Sequence, residues 1–321
     1  MTSPKTLLVA ATGGHLEQLY RISARIEPTS GPVTWVTHRD PQSESLLEGL
    51  DVHFVPYVPP RGYGQVLRQV PDAWRLIRQG KFDRIISTGA GVAVPFFLAA
   101  RANGVAAHYI ESAARADGPS LTGRIVSRVP GVNLYSQYAG WATGRWNHRG
   151  SLFDAFDVRE HADEPIRRVV VTLGTMRTYE FTRLVERLKH VLPEVMEPQA
   201  DVLWQMGVTT ADPGFGTVAA SVPNAQLREA IANADLVVAH SGIGSAITAL
   251  ELGKRPVLVP RRPVHGEHVD EHQELIAGEL GGRNLAVRCE ADQITAEDLR
   301  RAARGRVVEA SERGPFALIE R

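Results

Sequence analysis

Apolar positions along this chain alternate between short continuous runs and helical spacing. Lys5–Ala11 (KTLLVAA) is a brief apolar run ending in Thr-Gly-Gly, and it predicts a buried strand. From His15 to Ile26 the apolar residues Leu16, Leu19, Tyr20, Ile22 and Ile26 recur at the spacing of one helix face. Val33–Thr37 predicts the next strand, Pro71–Gly80 a helix, Arg84–Ser87 a strand, Val92–Asn103 a helix and Ala106–Ile110 a strand. Strands alternating with helices imply a parallel sheet covered on both faces.

The pattern then breaks. Phe153 to Arg168 is polar, contains Pro165 and predicts a linker. Beyond it the alternation restarts. Arg168–Leu173 and Val202–Gln205 predict strands, as do Leu236–Ala239 and Pro256–Pro260. Helices are expected around Phe181–Leu188, at Ala225–Asn233 and at Gly244–Leu252. The expectation is α/β: two tandem doubly wound, Rossmann-like domains, 1–157 and 158–321. A length of 321 residues suits two domains. No apolar stretch approaches the ~20 residues of a membrane span, and the N-terminus lacks the features of a signal peptide. One cysteine, Cys289, excludes an internal disulfide or a Cys-based zinc cluster. A cytoplasmic protein is expected.

Charge changes this picture. The 36 basic and 36 acidic side chains cancel overall, yet 1–157 carries net +4 and 158–321 net −4. Within 61–149 the excess is +8. Such a region favours an anionic partner, phosphate or anionic lipid. Nucleic acid is not expected, because no zinc finger, helix-turn-helix or RNP-like strand signature is present.

Three strand ends open into small residues: Thr12-Gly13-Gly14-His15, Gly174-Thr175 and His240-Ser241-Gly242-Ile243-Gly244-Ser245. In open parallel sheets ligands sit at the carboxyl ends of strands, where a helix N-terminus offers N–H groups to phosphate. None of the turns is a G-x-G-x-x-G fingerprint or a P-loop, so nicotinamide and ATP lose support. A nucleotide and a second substrate on the two domains of one cleft is the expected arrangement.

Ala234–Arg262 (ADLVVAHSGIGSAITALELGKRPVLVPRR), followed by HGEHVDEHQ (His265–Gln273), resembles the nucleotide-sugar domain of glycosyltransferase family 28. VVVTLGTMRTYEFTRLVERL (Val169–Leu188) resembles the opening of the same domain. LLVAATGGHLEQLYRI (Leu7–Ile22) and YIESAAR (Tyr109–Arg115) resemble the acceptor-binding partner subunit of the two-subunit UDP-GlcNAc transferase of dolichol-linked oligosaccharide synthesis. The chain resembles a fused form, partner half first, of that pair and its bacterial exopolysaccharide relatives. The resemblance implies a GT-B fold, a UDP-sugar donor, inversion at the anomeric carbon and a polyprenyl-diphosphate-linked acceptor. It implies no cofactor. The partner subunit usually carries a membrane helix, so attachment here is expected to be peripheral.

The chemistry assigns roles. No D-x-D occurs, which fits a metal-independent site where N–H groups carry the leaving diphosphate. Ser241, Gly242, Gly244 and Ser245 are the expected cradle, with Gly174 and Thr175 opposite and His240 as a further donor. The resemblance puts the ribose on Glu251, the base near Gln205, Met206 and Gly207, and the hexose on His272 and Gln273. Asp270 either joins that set or caps a helix. His15 is the expected proton acceptor, since a helix N-terminus keeps an imidazole neutral. Glu111 is the competing base. Gly13, Gly14 and Arg115 are expected on the acceptor. Trp141, Arg145 and Trp146 are expected at an anionic membrane surface, joined by Arg61, Tyr63, Arg68, Arg75, Arg78 and Lys81. The hexose stays open, with Arg261 or Arg262 as partners if it is a uronate. Three alternatives compete: a UDP-sugar 2-epimerase, transfer to a soluble small molecule, and a non-catalytic UDP-sugar-binding protein.

Overall fold

The computed structural model describes residues 3–59, 62–174, 178–311 and 314–319. Arg61 and Thr175 lie outside the described residues. The chain forms two compact units, 1–154 with 313–321, and 155–312.

In the first unit the strands are β1 (Thr6–Ala10), β2 (Ile26–Glu27), β3 (Val33–His38), β4 (Val52–Val55), β5 (Arg84–Gly89), β6 (Ala106–Ile110), β7 (Val132–Tyr135) and β8 (Trp146–Asn147). Its helices are α1 (Gly14–Ser23), α2 (Pro41–Leu46), α3 (Tyr63–Arg68), α4 (Val70–Gly80), α5 (Ala93–Ala102) and α6 (Leu121–Val126). Seven strands make one parallel sheet in the order β4-β3-β1-β5-β6-β7-β8. The central strands β1 and β5 are buried at every residue. That is why TLLVA and RIISTG read as runs and not as alternations. Leu7, Val9, Ile85, Phe96, Phe97 and Tyr109 form the heart of the core.

The second unit contains β9 (Phe156–Glu160), β10 (Ile166–Thr172), β11 (Met196–Gln205), β12 (Thr217–Ala219), β13 (Leu236–His240), β14 (Val257–Val259), β15 (Val287–Arg288) and β16 (Gly305–Glu309). Its helices are α7 (Thr182–Val191), α8 (Asn224–Asn233), α9 (Ile243–Glu251), α10 (His272–Gly282) and α11 (Ala296–Ala303). Six strands form a parallel sheet, β12-β11-β10-β13-β14-β15. Leu184, Leu188, Val171, Trp204 and Val238 anchor its core.

The boundaries differ from the sequence expectation in two places. The expected linker contains β9, which pairs antiparallel with β16 and so belongs to the second unit. The last residues return to the first unit. There β17 (Phe316–Ala317) pairs with β2, and the buried Arg25 guanidinium donates to the carbonyls of Gly314 and Ser151. Ile26, expected on the first helix, lies in that strand pair.

Candidate active site

In each sheet the strand order reverses at one point, the place where open α/β sheets bind ligands at the carboxyl ends of the strands. In the first unit the point lies between β1 and β5. β1 leads through Gly13, at φ 85°, into α1, whose N-terminus has no side-chain cap. Gly13 N donates to Gln42 Oε1 at 2.5 Å. His15 enters in the first turn of α1. Its Nδ1 lies 2.8 Å from Thr88 O, and Thr88 Oγ1 donates to His15 O at 2.7 Å. A carbonyl can only accept, so Nδ1 carries the proton and Nε2 keeps its lone pair. Burial pushes the His15 pKa below 6.5, against the Thr88 bond. The ring rests on Gly89, where a Cβ would lie 3.3 Å from His15 Cε1 and 2.9 Å from Tyr109 Oη. The Thr88–Gly91 turn was not singled out in the sequence. Its signal was there: a strand ending in Gly-Ala-Gly beside the first glycine turn.

Glu111 follows β6 and is fully buried. Its Oε1 accepts from Tyr109 Oη at 3.3 Å and Ser112 N at 3.1 Å. Its Oε2 accepts from Ser120 N at 2.9 Å and Ser120 Oγ at 3.1 Å. Burial raises its pKa while these donors oppose the rise. Both oxygens are therefore spent on holding the 112–120 loop and the Ser120 cap of α6. Gln18 of α1 ties the same loop from below, accepting from Ala113 N at 2.8 Å. Arg115 stays within this loop, donating to Gly118 O and pairing with Asp117 at 3.4 Å.

The structure changes the expectation for the tryptophan segment. Arg145 spends its guanidinium on the carbonyls of Ser127, Val129 and Val132. Trp146 packs on the core against Tyr109 and Trp141, ring centroids 6.1 and 5.1 Å apart. Trp141 Nε1 donates to Arg115 O. Exposed apolar side chains gather elsewhere in the first unit: Tyr63 and Leu67 on α3, Trp74 on α4, Leu98 on α5 and Leu121 on α6. These four helices pack in succession, and Arg68, Arg75, Arg78 and Lys81 are exposed on the first two of them and just beyond.

In the second unit the order reverses between β10 and β13. Their turns are those of Gly174 and of His240 to Ser245. Gly242 caps α9 with no side-chain bond, leaving the helix N-terminus open. Ser241 is fully buried and its Oγ has no partner among the described residues. A buried hydroxyl without a partner costs stability unless a ligand satisfies it. The His240 ring is wedged between two glycines. A Cβ on Gly174 would meet its Cε1 and Nε2 at 2.6 Å, and a Cβ on Gly242 would meet Nε2 at 2.4 Å. Its Nδ1 lies 3.3 Å from Thr172 O. Burial and the Arg261 charge lower its pKa to about 4. His240 is thus neutral with its proton on Nδ1, and Nε2 is an acceptor, not the diphosphate donor expected from sequence.

A histidine held neutral destabilises the fold in acid. The unfolded imidazole takes a proton near pH 6.5, and the folded one does so only near 4. Stability is therefore unaffected above pH 6.5 and falls as pH drops from there to about 4. At about 1.4 kcal/mol per unit the loss is about 3 kcal/mol. Urea denaturation in steps across this window measures it, and His240→Gln should flatten the slope. An unchanged slope in the variant contradicts the assignment.

The remaining expected residues divide. Gln205 is buried, with Nε2 donating to Thr172 Oγ1 at 2.9 Å and Oε1 accepting from Val222 N at 3.0 Å. Met206 belongs to the core, and Gly207, at φ 62°, turns the chain after β11. Glu251 ends α9 and pairs with Arg228 at 3.1 Å. Eight residues at 1.5 Å put it roughly 12 Å from the first residue of that helix. Thr248 is the polar side chain one turn closer, on the same face. Asp270 resolves as a helix-start acceptor, taking His272 N at 3.2 Å between the rings of His268 and His272. Gln273 is buried, its Oε1 accepting from Arg261 N at 3.1 Å.

Neither arginine is set for a uronate. Arg262 pairs with Glu271, Glu274 and Glu290. Arg261 is fully buried and grips both ends of the turn after β10. Nη2 donates to Leu173 O and Nη1 to Tyr179 O, each at 2.7 Å. It is a positioning residue that sequence alone did not mark, because nothing in its spacing distinguishes it from Arg262.

Comparison with known proteins bears on these turns. Residues 168–307 match the glycosyltransferase family 28 C-terminal domain. That match spans most of the second unit. Both switch-point turns of that unit lie within the family 28 match. The whole chain is similar to the UDP-N-acetylglucosamine--N-acetylmuramyl-(pentapeptide) pyrophosphoryl-undecaprenol N-acetylglucosamine transferase of Acinetobacter baumannii. It is 24% identical, covering 91% of this chain and 86% of the relative. The transferase of the same name from Haemophilus influenzae is also 24% identical, over 92% and 88%. Among solved structures, Acinetobacter baumannii MurG matches with TM-score 0.55 and 21% identity, covering 93% of this chain and 89% of that one. The UDP-GlcNAc 2-epimerase of Methanocaldococcus jannaschii matches with TM-score 0.59 and 11% identity, over 98% and 96%. The family 28 domain and its partner unit together have the GT-B fold.

Proposed function

We propose that this protein is a UDP-sugar-dependent hexosyltransferase of the inverting, metal-independent kind, acting on a lipid-diphosphate-linked acceptor in cell-surface polysaccharide synthesis. The observation that carries the reading is the His15 imidazole, neutral, with Nε2 unprotonated at the switch point of the first unit. The 24%-identical relatives, named as N-acetylglucosamine transferases acting on a pyrophosphoryl-undecaprenol acceptor, support it over the 11%-identical epimerase.

The geometry supports the following roles. UDP-sugar diphosphate is held by the N–H groups at the start of α9, by Ser241 Oγ and by the Gly174 turn. Gly244, Ser245 and Thr248 line the same helix face. Met206 and Gly207 meet the base through backbone, and His272 meets the hexose. The acceptor binds the Gly13-Gly14 turn. Its hydroxyl oxygen bonds to the anomeric carbon as the carbon–oxygen bond to UDP breaks. The hydroxyl proton passes to His15 Nε2, and the electron pair leaves on the β-phosphate. Glu111 holds the acceptor loop in place. The catalytic work lies in moving that proton and stabilising the leaving diphosphate.

No helix among the described residues is long and apolar enough to cross a membrane. The reading places the protein peripherally on the cytoplasmic face of the membrane. It gives the contact to the exposed apolar side chains of α3 to α6 and their flanking arginines, not to Arg145 and Trp146. One experiment tests substrate and surface together. Polyprenyl-diphosphate-linked sugar is placed in anionic vesicles and offered a panel of UDP-hexoses. Transfer of one hexose is expected, with protein sedimenting on the vesicles at low salt. Equal transfer to a soluble sugar and no sedimentation would sink the lipid acceptor.

A further inference from the structure

A second cavity in the family 28 domain lies away from the cradle. It has a volume of about 440 Å³ and is lined by Arg255, Arg288, Arg301, Asn284, Gly278 and Gly282 among others. Arg255 stands two residues before β14. The far end of that strand meets the cradle, where Ser241 N donates to Val259 O at 3.2 Å. The two places are thus at opposite ends of one strand.

Arg255 is the unusual residue. It is 95% buried, with a relative exposure of 5%. Its Nη2 donates to Asn284 Oδ1, and Nη1 has only Glu160 Oε1 at 3.5 Å. Neither Nε nor Nη1 makes a hydrogen bond among the described residues. The stem is fixed by Gly305, where a Cβ would lie 2.3 Å from Arg255 Cδ. Nη1 has its ion pair with Glu160, so Nε is the idle group, and a buried donor without a partner is costly. Burial, and after it the like charge of Arg301, lower the Arg255 pKa against the pull of Glu160, and Arg301 is itself paired with Asp298 at 3.0 Å. An anion between the two arginines would satisfy the idle Nε–H and relieve the repulsion.

The surroundings leave room for one. A Cβ on Gly278 or Gly282 would meet nothing within 4 Å, so these two lining residues leave the α10 side of the cavity open. The carbonyls of Glu279, Leu280 and Gly281 accept from Arg283, Leu285 and Asn284, which offsets the negative end of that helix. Glu274, the acid on the wall, is paired by Arg262 and Arg288.

We propose that this cavity is a second anion site, which binds a small phosphate-bearing molecule through Arg255 and Arg301. The chemistry required is a compact dianionic or diphosphate group with several acceptor oxygens, suited to the planar guanidinium fork. Helix α10 runs from His272 at its N-terminus to this cavity at its C-terminus, so one helix touches both places.

Calorimetric titration with pyrophosphate and, separately, inorganic phosphate tests the site on the full chain. Wild type is expected to bind pyrophosphate. Arg255→Leu and Arg301→Gln should each weaken binding by about tenfold or more. Arg255 is buried and its loss can unfold the domain, so Gly278→Glu serves as the second variant. It adds a carboxylate into open space at an exposed helical position and should weaken pyrophosphate to a similar degree. Binding of phosphate alone with the same variant pattern identifies a free-phosphate site, and binding of pyrophosphate only identifies a diphosphate ligand. No binding by wild type, or binding unchanged in Arg301→Gln and Gly278→Glu, overturns the proposal. The second result would put the anion in the cradle.

Discussion

His15→Ala is expected to lower turnover about a hundredfold or more while leaving UDP-sugar affinity intact. Thr88 O fixes the proton on Nδ1, so Nε2 is free to accept. Burial and the start of α1 both disfavour the imidazolium, which holds the group in its basic form at neutral pH. The pH dependence has a definite sign. Protonation removes the lone pair, so kcat/KM falls in acid with a midpoint below 6.5. In His15→Ala that acid limb should disappear along with most of the rate. Steady-state transfer kinetics across pH, with donor affinity measured separately by calorimetry, checks both. Turnover close to wild type in the variant removes His15 as the base, and an acid midpoint above 6.5 contradicts its assigned environment.

The second large effect is expected at Arg261→Lys. Lysine keeps the charge and loses the fork. Arg261 reaches Leu173 O and Tyr179 O at once, and the Phe181 ring lies 5.0 Å from its guanidinium carbon. An ammonium cannot meet both carbonyls in that geometry. Leaving one or more buried acceptors unpaired costs about 2–4 kcal/mol. The Gly174 turn would then lose its fixed position opposite Ser241. UDP affinity is expected to fall at least about tenfold, beyond what the stability loss alone produces at a temperature where the variant is folded. Denaturation and UDP calorimetry on the same preparation separate the two. A destabilised variant with unchanged UDP affinity would show that the clamp serves folding only.

Much of this architecture was readable as hydrophobic rhythm. Ala106–Ile110 and Arg84–Ser87 lie in central strands, where both faces are buried and apolar residues follow one another without a polar face. The rhythm failed where burial is one-sided. β9 reads as a polar linker because Asp157, Arg159 and Glu160 face solvent in a two-stranded pair with β16. Ile26 fits the helix face of α1 and still leaves it, because the returning Phe316 pairs with it from nearly three hundred residues away. No local pattern carries that contact.

The site was legible as turns and not as side chains. His15, Ser241 and Gly242 were found because a strand-to-glycine-to-helix pattern forces them to the carboxyl edge of the sheet. Side-chain roles depend on what else is near. Glu111 looks like a base by position, yet four donors and complete burial make it a loop anchor. Glu251, put on the ribose by the resemblance, ends α9 beside Arg228, a pairing that no spacing in the sequence announces. His240 looked like a donor until Thr172 O fixed its tautomer. Arg261 was invisible as a clamp, since its partners are backbone carbonyls more than eighty residues upstream in the chain.

The charge asymmetry also gains a physical meaning. The acidic second unit is the one assigned an anionic nucleotide. Its cradle relies on helix N–H groups and a buried hydroxyl, which act at short range regardless of net charge. The basic first unit acts at long range, toward an anionic surface.

The central claim is that the turn at His240 to Ser245 binds a uridine diphosphate sugar. A thermal-shift panel of UDP, UDP-hexoses and ADP on the wild-type protein tests it most directly. The account predicts a concentration-dependent rise in Tm with UDP and a larger one with a single UDP-hexose, while ADP has little effect. A panel without any UDP-dependent shift would contradict it.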